Sequence, residues 1–127
     1  MFNFSKYLYP FLLLLFSVFV NSYYGSIGVF PIDSFAFFDS AYSINHGMSP
    51  FRDYWVMSGP IIDLIQSIFF DIFGTSWSVY LLHSSLVSAF FSLLTYFFLK
   101  DLGLERYQSL FYSFLVSILA YPGVGVP

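Results

Sequence analysis

Four acidic or basic side chains and one His, all between residues 33 and 53, are the groups best placed to do chemistry in this chain. Asp33 follows Pro31 at the end of a long apolar run, which puts its carboxylate where lipid gives way to water. There it can take a proton from a hydroxyl acceptor while a lipid-borne donor is held alongside. The plainer use is to cap the helix that follows, accepting from the free amides of its first turn, and one carboxylate can do both. Asp39 offers a second oxygen to a divalent cation, although two Asp at this separation make no recognised metal spacing and a solvated polar face accounts for it as well. Arg52 carries a fork of donors matched to phosphate. Its alternative is an ion pair with Asp53 or Asp39, of small energetic value when exposed. His46, beside Gly47, joins Asp39 and Asp53 as a group able to meet a polar substrate, or is simply exposed. Tyr54 and Trp55 can stack on a sugar ring or anchor in the headgroup region.

These residues sit in a chain of unusual composition. Of its 127 residues 58% are hydrophobic, 25% aromatic and only 9% charged, with a mean hydropathy of +0.77. Soluble domains carry about a quarter charged residues, so the chain is expected to be all-α and integral to a membrane. The absence of Cys excludes disulfides, thiolate metal sites and a Cys nucleophile. A net charge of −3 without any Lys/Arg cluster argues against nucleic acid as a partner. There is also no phosphate-binding Gly loop, no Gly-x-Ser-x-Gly and no His-Glu-x-x-His.

Apolar runs predict a first span over residues 7–30, closed by Pro31, and a second over residues 76–99 with Trp77 and Tyr80 at one end and Lys100 at the other. A third begins near residue 107 and is cut short by the Pro and Gly of "YPGVGVP", giving an incomplete span over residues 107–121. A rival for the first run is a cleaved signal peptide, with Lys6 as its basic head and Val20-Asn21-Ser22 at the cleavage site. Lys6, Lys100 and Arg106 fall on one side of the spans, whereas residues 31–75 hold Arg52 alone among basic residues. The positive-inside rule therefore places residues 31–75 outside and residues 100–106 in a short cytoplasmic turn.

Within the outer segment, two interfacial helices are expected, about residues 33–46 and 60–73. In the first, Phe37, Ala41 and Ile44 recur on one face and Asp39, Ser43 and His46 on another, with Gly47 as a left-handed stop. In the second, Pro60 opens the helix behind Ser58 or Gly59, Gly74 ends it, and Asp63, Ser67 and Asp71 line up opposite Ile61, Leu64, Ile65, Ile68 and Ile72. Serines recurring every fourth residue, Ser84, Ser88 and Ser92 on one run and Ser109, Ser113 and Ser117 on the next, predict a closely packed helical hairpin. His83, inside the second span, is expected to bond a neighbouring helix in preference to relaying protons.

The order of these features, a single span, Asp33 just beyond it, Gly47 with Pro50-Phe51-Arg52-Asp53, Gly59-Pro60, Phe73-Gly74 and then a helix pair, resembles the start of the glycosyltransferase C superfamily. The likeness is to its protein O-mannosyltransferase and lipid A aminoarabinose transferase branch. Such a resemblance implies a polytopic enzyme that takes a sugar from a polyprenyl-phosphate carrier on the outer face, in a membrane such as the bacterial inner membrane. It also implies an acidic residue of the first outer loop at the active site, which here is Asp33. Many members carry an acidic pair where this chain has Asp33-Ser34, and often a Lys before the Pro where it has Ser58-Gly59. They are several times longer, so the chain is expected to be an N-terminal portion, inactive alone and packed against further transmembrane helices. Two rivals remain: a non-catalytic subunit or anchor that binds partner helices through its serine stripes, and a transporter fragment, disfavoured because the ionisable groups crowd outside the spans.

Overall fold

The computed structural model describes residues 4–28, 31–56 and 59–119, with the side chains of residues 4–6 and 31–34 outside the description. Those residues form five helices and no strand: α1 (Phe4–Ile27), α2 (Pro31–Asn45), α3 (Pro60–Phe73), α4 (Trp77–Asp101) and α5 (Arg106–Leu119).

Local backbone chemistry explains most of the boundaries. Pro31 is the first residue of α2 rather than the stop of α1, a position where its missing N–H costs nothing. α1 itself ends at Ile27. Gly47, at φ 82°, closes α2. Its amide donates to the Ile44 carbonyl at 2.9 Å and that of Met48 to Ser43 at 3.1 Å, the paired bonds of a Schellman stop. Pro60 opens α3 behind Gly59, and Gly74 at φ 87° ends it. Ser76 caps α4, its hydroxyl accepting from the Val79 amide at 3.3 Å. Gly103, at φ 89°, turns the chain between α4 and α5.

Residues Tyr7–Ile27 of α1 and the whole of α4 are long and apolar enough to cross a membrane. At 1.5 Å per residue the 25 residues of α4 reach about 37 Å. α5 has 14 residues and reaches about 21 Å, short of a crossing; residues 120–121 of the expected third span lie outside the described residues.

α1, α4 and α5 pack side by side with their polarity reversed relative to a soluble bundle. Ser17, Ser85, Ser92, Ser109 and Ser113 have no exposed surface, while Phe19, Phe90, Phe98 and Phe111 are more than half exposed. Water would favour the opposite distribution. In lipid, helices gain little from burying apolar groups against each other, and small or hydrogen-bonding residues let their backbones approach. The predicted hairpin is present, since the Ser92 and Ser117 hydroxyls meet at 2.7 Å. α1 belongs to the same bundle, with Asn21 as the junction. Its Nδ2 donates to the Ser17 carbonyl at 2.8 Å, to Ser88 Oγ at 3.0 Å and to the Ser117 carbonyl at 3.4 Å. One turn further on, Gly25 lies so close to α4 that a Cβ there would overlap the Leu81 side chain. The Gly25 carbonyl accepts from the Trp77 indole at 3.0 Å.

α2 and α3 pack on each other and reach the first turns of α4 through an apolar cluster of Ala41, Phe70, Val79 and Tyr80. Phe38 stacks into it, with ring centroids 4.8 Å from Phe70 and 6.1 Å from Tyr80. α2 thus uses the face predicted for it, leaving Asp39 and His46 exposed. α3 does the reverse of what its pattern suggests for an isolated surface helix. Asp63, Gln66 and Ser67 turn inward and are buried, while Ile61, Ile68 and Ile72 are more than half exposed.

Candidate functional site

The loop from His46 to Val56 is held by short local bonds. Ser49 is its pivot: its carbonyl accepts from the amides of Arg52 and Asp53 at 3.3 and 3.0 Å. Its own amide donates to Asp53 Oδ2 at 2.7 Å. The Phe51 amide donates to the Tyr54 carbonyl at 3.0 Å. Closing so tight a turn forces Phe51 to φ 66°, a region that a bulky L residue enters at a cost of about 1–3 kcal/mol. The turn presents Phe51, Arg52 and Trp55 outward together, Trp55 being 78% exposed.

Arg52 pairs with Asp53 and not with Asp39. Its Nη2 lies 2.7 Å from Asp53 Oδ2, and its Nε donates to both carboxylate oxygens at 3.0 and 3.2 Å. These bonds, with the Ser49 amide adding to them, hold the Asp53 carboxyl down at about 2. The same pairing raises the Arg52 pKa further above its ordinary value, so both stay charged throughout the physiological range. The Arg52 side chain nonetheless keeps 70% of its surface open. The structure therefore joins Arg52 and Asp53 into one unit, a guanidinium held at the loop tip.

The other expected site residues are spread along α2. Asp33 is the third residue of that helix, in its first turn rather than at the cap position, and its side chain lies outside the description. An acidic residue there sits favourably in the field of the helix N-terminus. Asp39 is exposed two turns on. His46 follows the last residue of the helix, with Nδ1 2.8 Å from the Tyr42 carbonyl, which requires that nitrogen to carry the proton, and its ring lies 4.0 Å from that of Tyr42. Among the described residues no three His, Asp or Glu side chains gather as a metal site would require.

Four polar side chains of α3 and α4 are buried without any shared signature in the sequence pattern. Asp63 and Gln66 of α3 and His83 and Ser84 of α4 are each 3% exposed or less. His83 does bond a neighbouring helix: its Nδ1 lies 2.6 Å from Gln66 Oε1. With the amide carbonyl accepting, Nδ1 carries the proton and Nε2 faces inward as an acceptor. Among the described residues, Asp63 Oδ1, Gln66 Nε2, His83 Nε2, Ser84 Oγ and the Tyr54 hydroxyl are buried without a hydrogen-bond partner. Burial raises the Asp63 pKa, a side-chain hydrogen bond with Ser40 opposing it. Tyr54, half-buried with its hydroxyl fully so, has its pKa raised by burial and then by the charge of Asp63. Both donor and acceptor capacity is thus left over where α3 meets α4. The signal was partly visible in sequence as the Asp63 and Ser67 stripe and the lone His83; Gln66, seventeen residues before its partner, gave none.

No family model, curated protein or solved structure matches this chain.

Proposed function

We propose that the chain is the N-terminal part of a membrane glycosyltransferase of the C superfamily, moving a sugar from a polyprenyl-phosphate donor to a hydroxyl acceptor. In this reading α1 and α4 cross the bilayer, residues 31–75 lie on the outer face of a bacterial inner membrane, and α5 begins a third crossing. Asp33 acts as the base that takes the acceptor's proton or orients its hydroxyl. Arg52, locked by Asp53, holds the donor phosphate, with Asp39 and His46 flanking it along α2.

The observation that carries the reading is the loop tip. A turn that accepts backbone strain at Phe51 to hold an exposed guanidinium between exposed aromatics suits an amphiphilic phosphate whose chain stays in lipid. The reversed polarity of the α1, α4 and α5 bundle supports the membrane setting. For the alternative, a non-catalytic anchor, the serine stripes would have to face partner helices; they are buried inside the chain instead.

Asp33→Asn in the full-length protein tests the assignment, with transfer of labelled sugar from a polyprenyl-phosphate donor as the readout. Transfer should fall by roughly 100-fold or more, as expected for loss of a general base, with membrane insertion unchanged. Undiminished transfer would refute the role.

A further inference from the structure

At the far end of α4 from the loop, a half-open cavity of about 230 Å³ is lined by Tyr96, Phe97 and Lys100 of α4 and Arg106 of α5. The turn between them, "KDLGLER", is electrically balanced, with two cations and two acids. Its charges are nonetheless sorted. Both cations line the cavity, while Asp101 and Glu105 do not, and both acids are exposed. Lys100 donates one of its three N–H groups to the Leu104 carbonyl at 2.7 Å, which fixes the ammonium at the last turn of α4 and leaves it two donors.

Tyrosines mark the depth of this cavity. Tyr107, 71% exposed, meets Tyr9 of α1 edge-on with ring centroids 6.0 Å apart. Tyr96, nearly buried, forms part of the cavity wall. Tyr9 and Tyr107, on two helices at this end of the bundle, are the kind of aromatic residues found at headgroup level. Basic pockets between helices at that depth take the head groups of anionic lipids.

We propose that this cavity binds the phosphate of an anionic membrane lipid, with Lys100 and Arg106 as its cationic walls and Phe97 against the acyl chain. The site lies apart from Arg52 and needs only the membrane part of the reading above, not sugar transfer. One bound lipid would tie α4 to α5 at the turn.

Native mass spectrometry of the full chain in detergent, offered equimolar phosphatidylglycerol and phosphatidylcholine, tests it. Both lipids carry phosphate, but only the first is anionic. The wild type should retain one phosphatidylglycerol in preference to phosphatidylcholine. In K100Q/R106Q that preference should fall roughly fivefold per cation, about 30-fold for the pair, whereas D101N/E105Q should keep it. Equal retention of the two lipids, or a preference that survives K100Q/R106Q, overturns the proposal. Displacement of the lipid by millimolar inorganic phosphate would also overturn it, by showing that the site takes free phosphate. Carbonate extraction of each variant from membranes separates this test from the membrane reading: a chain released by carbonate would sink that reading, whatever the lipids do.

Discussion

Asn21 is the side chain on which three helices converge, and a double-mutant cycle with Ser88 measures how much it holds. Its amide nitrogen has two hydrogens and three acceptors in reach, at 2.8, 3.0 and 3.4 Å, so the two shorter bonds dominate. The shortest goes to the Ser17 carbonyl, one turn back in α1 itself, and survives if the helices separate. Only the bond to Ser88 Oγ at 3.0 Å, with a fraction of the one to Ser117, contributes to association. Interhelical hydrogen bonds in membrane bundles average about 0.6 kcal/mol, with a ceiling near ~1.7 kcal/mol. Asn21→Ala and Ser88→Ala should therefore each destabilise the bundle, with a coupling energy of about 0.6–1.7 kcal/mol between them. Ser78, exposed on the same helix, gives the control and should not couple to Asn21. Equilibrium unfolding in mixed micelles, followed through Trp77 where it spans α1 and α4, supplies the numbers. A coupling below roughly 0.2 kcal/mol, with both single variants destabilised, would refute the convergence of α1, α4 and α5 on this residue. The same cycle bears on the signal-peptide alternative, because cleavage near Asn21 would remove α1 and leave Ser88 nothing to couple to.

Asp63→Asn should flatten the pH dependence of stability. The native carboxyl is raised above its ordinary 3.8 by burial, so its stabilising contribution is complete below 3.8 and is lost as pH rises through the native value. From about pH 4 upward, clear of the window in which the lowered Asp53 carboxyl titrates, melting in detergent should thus fall toward neutrality, and Asp63→Asn should remove that slope while raising the neutral melting temperature; a wild-type slope of opposite sign over that range would contradict the burial. Gly25→Ala should cost about 1–3 kcal/mol through overlap with Leu81, whereas Gly28→Ala, where a Cβ meets nothing within 4 Å, should stay within about 0.5 kcal/mol; equal effects of the two on unfolding would mean that α1 does not approach α4 there.

The helix stops were legible because they depend on a few adjacent atoms. Gly47, Gly74 and Pro60 do what their backbone chemistry dictates wherever they occur. Pro31 was legible as a boundary but not as to side, since a proline discourages helix before it and favours helix from it onward. The serine stripes announced close packing correctly, and the hairpin they predicted is present. Asn21 reads in sequence only as part of a cleavage motif, because its value comes from residues 67 and 96 positions away. Periodicity gave α3 two faces and no indication of which meets protein. The buried side carries Asp63, Gln66 and Ser67 beside Phe70, while Asp71 of the expected polar row stays exposed with the isoleucines.

That burial leaves the protein with two polar interiors of different character. Around Asn21 the hydrogen bonds close on one another: Ser17 donates to Ser88, Ser88 to the Ser117 carbonyl, and Ser92 pairs with Ser117. A closed network of this kind makes a bundle rigid and specific. Elsewhere the bonds do not close, and among the described residues five buried polar atoms, from Tyr54, Asp63, Gln66, His83 and Ser84, remain without partners. Capacity of that sort is expensive to bury and tends to be kept where a structure does chemistry or changes shape. Tyr54, whose hydroxyl is one of these atoms, lies two residues from Arg52 on a turn pinned by Ser49 and Asp53. The α3–α4 junction thus keeps hydrogen-bonding capacity that the closed serine network around Asn21 does not.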